Sequence, residues 1–281
     1  MRRLGGMVAA VGLLVAACAN GGAASLGPGP GASSPSPSST PSPSSRPSGS
    51  PGGTPTGRTL SFEVWFVRGG SLFVTKRTEP FNVAVGKLSL DALAAGPSAA
   101  ELAAQVRSEL TATTTPTITA LAGGTAKVDL GAGPVLQQGT PSDRLAKAQV
   151  VYTLTQYSTI NKVTFAGGTT LYSRSSFDDL LPAILVEGPV IGAKVGNPVT
   201  VTGTANVFEA TVSLRILDQA GQVVANTFTT ATCGTGCRGD YRVSVPYAVD
   251  RTQPGTIEVF ESSAKDGSAI NVVDIPVILT P

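Results

Sequence analysis

Eighteen carboxylates, three cysteines and no histidine are what this chain of 281 residues offers for chemistry. Without imidazole, neither a Ser-His-Asp nor a Cys-His nucleophile can be built, and no histidine-bearing metal centre either. Acid–base work would fall to carboxylates and lysines. Glu258 and Glu261, with Asp266 close by in sequence, have the residue types of a paired-carboxylate glycosidase site. The competing assignment makes them solvated strand and turn positions, and it has the advantage that Asp266-Gly267 already fits a hairpin turn. Ser262-Ser263-Ala264-Lys265 spells S-x-x-K, yet it sits at a strand end without the companion elements that chemistry needs. Arg238-Gly239-Asp240 is a three-letter adhesion motif of low information, and "GPGPGA" follows no strand, so it is no dinucleotide fingerprint. Cys233 and Cys237 in "TCGTGCRGDY" supply two thiolates where zinc takes four ligands, so no metal and no cofactor are expected. Trp65 remains as the candidate ligand-stacking residue, because Phe62, Val64 and Phe66 share one face of its strand and leave the indole on the other; the competing assignment, which the small number of aromatics favours, is core or interface packing.

The third cysteine stands in a different setting. Met1 to Ala17 has a basic start at Arg2 and Arg3, an apolar stretch from Met7 to Val15, and small residues before a cut, which is the build of a signal peptide over residues 1–17. It is too short to cross a bilayer. Val15-Ala16-Ala17-Cys18 resembles the lipobox of bacterial lipoproteins, and the resemblance implies that Cys18 is acylated on sulfur and becomes the first mature residue. Two acyl chains suffice to hold a folded body at a membrane surface, so the expected location is the extracytoplasmic face of the cell membrane, with lipid as a partner through Cys18. Losing Arg2 and Arg3 takes the 20 basic residues to 18, equal to the 18 acidic ones, and a neutral chain without a basic stripe excludes nucleic acid as a partner. With Cys18 taken by lipid, Cys233 and Cys237 are left as an even pair in an oxidising compartment and are expected to form a disulfide. Closing so short a loop contributes about 2 kcal/mol, enough to stiffen an exposed hairpin.

Residues 18–58 are almost wholly Gly, Ala, Ser, Pro and Thr, a composition that cannot bury enough surface to offset its ordering entropy. A disordered tether is expected there, with an average span of roughly 35 Å as flexible coil and more where Ser-Pro repeats stiffen it. From Thr59 on, the chain is long enough for two domains with their own cores. The first, over 59–177, opens with the strand "TLSFEVWFV", a turn at Arg68-Gly69-Gly70-Ser71 and a second strand. Leu88, Leu90 and Leu93, then Leu102, Val106 and Leu110, recur at helical spacing on either side of Gly96-Pro97. A hairpin is expected around Gly123-Gly124, a helix capped by Ser142 or Asp143 with Leu145, Ala148, Val150, Val151 and Leu154 turned inward, and a closing hairpin at Gly167-Gly168. This makes an α+β sandwich. The second, over 182–281, reads as short strands: Val199 and Val201, Val207 to Leu217, Val223 onward, then "DYRVSVPYAV", "GTIEVFESSA" and "SAINVVDIPVIL", with turns at Asp218 to Gly221 and Asp266-Gly267. That spacing calls for an all-β sandwich of immunoglobulin-like type.

"LDALAAGPSAAE", "VDLGAG" and "AKAQVVYTLTQYSTINKVTFAGG" together resemble the GerMN domain of spore-germination and envelope lipoproteins, over roughly Leu60 to Tyr172. "PVIGAKVGNPVTVTG", "ANVFEATV" and "ESSAKDGSAINVVDIPVIL" resemble the immunoglobulin-like domain of bacterial spore-germination proteins, over about Pro182 to Leu279. The first resemblance implies a ring-building or protein-interaction role and brings no catalytic residues. Taken together they imply a membrane-anchored, non-catalytic binding or scaffolding module whose partner is an envelope protein or a cell-wall polymer. Two alternatives from other classes are a wall-directed glycan hydrolase and the solute-binding lipoprotein of a transporter. The latter is disfavoured because two domains of unlike class do not make paired lobes.

Overall fold

Gly69 and Gly70 both take positive φ, at 59° and 81°, which is what a two-residue hairpin turn of the right twist demands. They join β1 (Thr59–Arg68) to β2 (Ser71–Pro80) in an antiparallel pair with Phe66 opposite Phe73. The computed structural model describes residues 57–132 and 139–281, so Cys18, the signal segment and nearly all of the tether lie outside the described residues. The described residues form a single unit.

After the hairpin come α1 (Val85–Ala95) and α2 (Ala99–Ala103), separated by Gly96 at φ 81°. The second helical piece is shorter than the leucine spacing predicts. It ends before Gln105, whose φ is 65°, and Val106 and Leu110 are buried from an irregular segment in which Arg107 bridges to Val67. β3 (Thr114–Ala122) and β4 (Thr125–Gly131) form the hairpin expected at Gly123-Gly124. α3 (Pro141–Leu154) is capped by Thr140, not by Ser142 or Asp143. Its hydroxyl accepts from the Asp143 amide while the Asp143 carboxylate accepts from the Thr140 amide, and Pro141 fills the first helical position. Instead of a closing hairpin, β5 (Lys162–Phe165) runs parallel to β4, and α3 is the crossover between them. The Gly167-Gly168 turn leads only to a single bridge, Val163 to Tyr172. α3 packs on β1 and on α1, and α1 packs on β3, so both helices lie between the β1–β2 hairpin and the β3-β4-β5 sheet.

A short 3-10 segment, Arg174–Leu180, leads into the second fold. Here β6 (Ile184–Gly188), β8 (Val199–Ala205) and β11 (Gly239–Val245) form one sheet in the order β11-β8-β6. β7 (Lys194–Val195), β9 (Thr211–Leu217), β10 (Val223–Thr230), β12 (Gln253–Ser262) and β13 (Ala269–Leu279) form the other in the order β10-β9-β12-β13-β7. Val201, Leu214, Ile216, Ile257, Val259, Ile275 and Val277 are the buried layer between them. β9 begins at Thr211, later than expected from Val207, because a 3-10 turn at Phe208–Ala210 places Glu209 and Ala210 at φ 52° and 56°. The turn at Asp218 forms as predicted, its Oδ1 accepting from the Ala220 and Gln222 amides at 2.9 and 2.8 Å. The Asp266-Gly267 turn differs: only Gly267 has positive φ, and a longer loop is closed by Ser263 and Ser268, with Asp266 accepting from the Ser268 amide.

Gly203 in β8 has no room for a side chain. A Cβ there would stand 2.0 Å from the Leu185 carbonyl oxygen and 2.6 Å from the Tyr241 hydroxyl, which donates to that same carbonyl. Gly203→Ala is expected to lower stability by about 3 kcal/mol, read as a fall in urea midpoint at constant slope.

Candidate functional site

Trp65 is 2% exposed, so no sugar can stack on it. Of the two readings of this residue, core packing fits and stacking does not, because both faces of β1 are covered. Tyr152 of α3 lies 4.7 Å from the indole, the Arg174 guanidinium lies 5.5 Å from it, and the indole N–H donates to Glu63 at 3.2 Å. Arg174 comes from the segment that closes this side of the first fold, bonding Thr155 Oγ1 and the Tyr152 carbonyl. Burial, reinforced by the Asp178 carboxylate, pushes the Tyr152 phenol up, so it stays protonated as a donor to Asp178.

The carboxylates weighed as a hydrolytic pair are each committed to neighbours. Glu258 is 8% exposed and ion-paired to Arg215. Glu261 accepts from the Phe208 amide at 3.0 Å and from Asn271 Nδ2 at 2.7 Å, which ties the Phe208–Ala210 turn and Asn271 of β13 to β12. Being three apart on one strand, Glu258 and Glu261 lie on opposite faces. Ser262 meets Ser213 across the sheet and Lys265 lies in the loop, far from the arrangement of an activated serine. Among the described residues no group of three or more acid or cysteine side chains could hold a metal ion.

Cys233 and Cys237 form a disulfide with Cα atoms 5.7 Å apart. The loop they close is not a hairpin tip, because β10 and β11 belong to different sheets; it is a crossover between them. Thr235 and Gly236 fasten it to Val207 and Asn206 through their amides at 3.0 Å each. Arg238 next to it is no free adhesion residue: it donates to the Thr204 carbonyl and hydroxyl and to the Pro182 carbonyl, at the junction of the two folds.

Register brings together residues that the sequence kept apart. On the outer face of the five-stranded sheet, Asn226, Arg215, Glu258 and Asp274 stand in one row across β10, β9, β12 and β13. Burial and the adjoining Glu258 raise the Asp274 carboxyl. Arg68, at the end of β1, donates to the Asp274 carbonyl at 2.7 Å and so fastens the hairpin to β13. The only sequence signal for Arg68 was its place beside the Gly69-Gly70 turn. Two clefts follow this seam, one of about 320 Å³ between Arg68, Phe73, Ile184 and Val272, and one of about 440 Å³ between Ala100, Gly192, Pro254 and Pro276. A third, open groove of about 540 Å³ lies on the outer sheet face over Ser213, Arg215, Asn226, Phe228, Phe260 and Ser262.

Residues 66–170 match the family model described as "Sporulation and spore germination", and residues 183–268 match "Immunoglobulin-like domain of bacterial spore germination". The chain carries both germination-type domains. Among solved structures it is similar to the tandem GerMN domains of the sporulation protein GerM from Bacillus subtilis, at 16% identity and TM-score 0.35, covering 79% of this chain and 61% of that one. The chain therefore spans about three fifths of that structure's length. It is also similar to CopC from Methylosinus trichosporium OB3b, at 16% identity and TM-score 0.23, over 35% of this chain and 94% of that one. None of the curated proteins matches in sequence. Neither germination-type domain is a known catalytic family, and what the geometry offers is surfaces. Among the described residues no helix is long and apolar enough to cross a membrane.

Proposed function

We propose that the protein is a lipid-anchored, extracytoplasmic binding module without catalytic activity, which presents its two germination-type domains to an envelope protein or a wall polymer in processes of the sporulation and germination kind. The observation that supports it best is the pairing of these two domains in one chain, with the most catalytic-looking carboxylates, Glu258 and Glu261, engaged by Arg215, Phe208 and Asn271. In this reading acyl chains on Cys18 supply the membrane contact and residues 18–58 supply the reach.

The test separates anchoring from binding. Fractionation of cells should place the wild-type chain with the membranes and move Cys18→Ala to the soluble fraction by at least tenfold, and mass spectrometry should find acyl chains on the first mature residue. Unmodified Cys18 would overturn the anchor. Cross-linking in living cells should capture an envelope partner, and purified protein incubated with wall material should release no muropeptides; release lost in Glu261→Gln would overturn the non-catalytic reading.

A further inference from the structure

We infer that the outer face of the five-stranded sheet is a binding site for a neutral saccharide, with Phe228 as its stacking platform. This rests on the wall-polymer branch of the proposed function and gives it an address. Phe228 is 68% exposed, on the edge strand β10, and has no ring or cation partner among the described residues. An exposed ring on a flat sheet face attracts two kinds of occupant, and its surroundings distinguish them. A protein interface centres on contiguous apolar area, with charge and polarity pushed to its rim. Around Phe228 the pattern is reversed: Ser213 stands directly across on β9, and Asn226 and Thr230 stand two positions away on the same face. A lone ring framed by hydroxyl and amide groups suits a pyranose, which lays its C–H face on an aromatic and presents hydroxyls around its edge.

The groove continues from there across two strands. Phe228, Ser213 and Phe260 share one row, which puts the two phenylalanines about 10 Å apart from strand spacing alone. Phe260 is covered by the Arg215 guanidinium, 5.2 Å from its ring, so the second station offers a planar hydrogen-bond donor over an aromatic base. Ser262, which meets Ser213 at 3.2 Å, adds a hydroxyl pair at the floor. Among the described residues Arg215 is the one charged side chain lining the groove, and Glu258 neutralises it, so an anionic polymer gains nothing here by charge. The geometry suits a chain of sugars crossing the strands, one unit over Phe228 and another over Arg215.

The probe is a soluble N-acetylglucosamine tetramer, titrated into the full mature chain made without lipid by Cys18→Ser, with pelleting on purified wall sacculi alongside. Phe228→Ala should weaken tetramer binding about tenfold, the loss of one stacking contact. Phe228→Tyr should stay within about threefold, and Phe81→Ala, which removes an exposed ring of the other domain, should bind as the wild type does. Exposure makes all three substitutions tolerable to folding, which circular dichroism verifies. Wild type and Phe228→Ala binding tetramer and sacculi equally would overturn this site while leaving a wall-binding module in place. Wild type binding neither, with a protein captured in cells, would overturn the saccharide and leave the protein-partner branch standing.

Discussion

Gln149→Leu should destabilise the protein by about 4 kcal/mol, more than its modest place in the sequence suggests. Gln149 is fully buried on α3, and its amide serves three groups at once. The Nε2 donates to the Trp65 carbonyl at 3.1 Å and Ser108 at 3.3 Å, and Oε1 accepts from the Glu109 amide at 2.8 Å. It is one of a stripe. Thr153, four residues on, accepts from the Trp65 amide at 3.1 Å, and Gln156, just past the helix end, accepts from the Glu63 amide and donates to the Glu63 carbonyl, both at 2.8 Å. Arg107 finishes the job, exchanging backbone bonds with Val67 at 2.8 and 2.7 Å. Three side chains of α3 and its exit thus act as a neighbouring strand for the free edge of β1, which would otherwise leave buried amides unpaired or offer them to another molecule. Leucine matches glutamine in bulk but orphans the Trp65 carbonyl and the Glu109 amide. Trp65 is the one tryptophan, so its fluorescence follows the urea transition directly; a midpoint unchanged by Gln149→Leu would show that the edge is satisfied by other means.

Glu101 governs the second large effect, and it depends on pH. Its side chain is 2% exposed at the start of α2, where it accepts from Thr75 at 2.6 Å, from Arg77 at 2.9 and 2.6 Å, and from the Ser98 amide at 2.7 Å in a capping box. Burial alone would raise this carboxyl; the bonds from Arg77, Thr75 and Ser98 outweigh it and hold it at about 2, against an ordinary value of 4.5. Because the unfolded chain takes up the proton first, this stabilisation is complete above pH 4.5 and drains away as the pH falls toward about 2. Glu101→Gln is expected to cost about 3 kcal/mol at neutral pH, less than a fully buried pair would, because Arg77 keeps partial access to water. The decisive measurement is the slope: the urea midpoint of the wild type should drop more steeply below pH 4.5 than that of the variant. Parallel curves would refute the assignment.

These two residues also show where the sequence was readable. "AAGPSAAE" and "AQVVYTLTQY" stood out as patterns, and Glu101, Gln149 and Thr153 lie within them, but period and apolar count show only that a helix is present. What Gln149 bonds is decided by an edge some 84 residues earlier, a pairing that no local rule contains. The strands of the second fold were legible because alternation and turn residues are local, as at Asp218. Trp65 shows the same limit in reverse: alternation assigns a face and leaves stacking and core packing both open, because whether that face meets water depends on α3 and Arg174. The β4–α3–β5 crossover was missed because a Gly-Gly pair after a short strand reads as a hairpin whether or not a parallel neighbour is already in place.

The pairing of β1 has a mechanical side. Thr59 begins the strand, and the bonds to β2 lie across the strand direction from Thr59–Pro80 to Arg68–Ser71. A pull on that first residue along the strand therefore loads the whole ladder in shear, with the glutamine and threonine bonds of the opposite edge sharing the strain. Rungs arranged this way yield together, whereas a zipper would open one tooth at a time, so a load directed along β1 meets the hairpin in its tougher orientation.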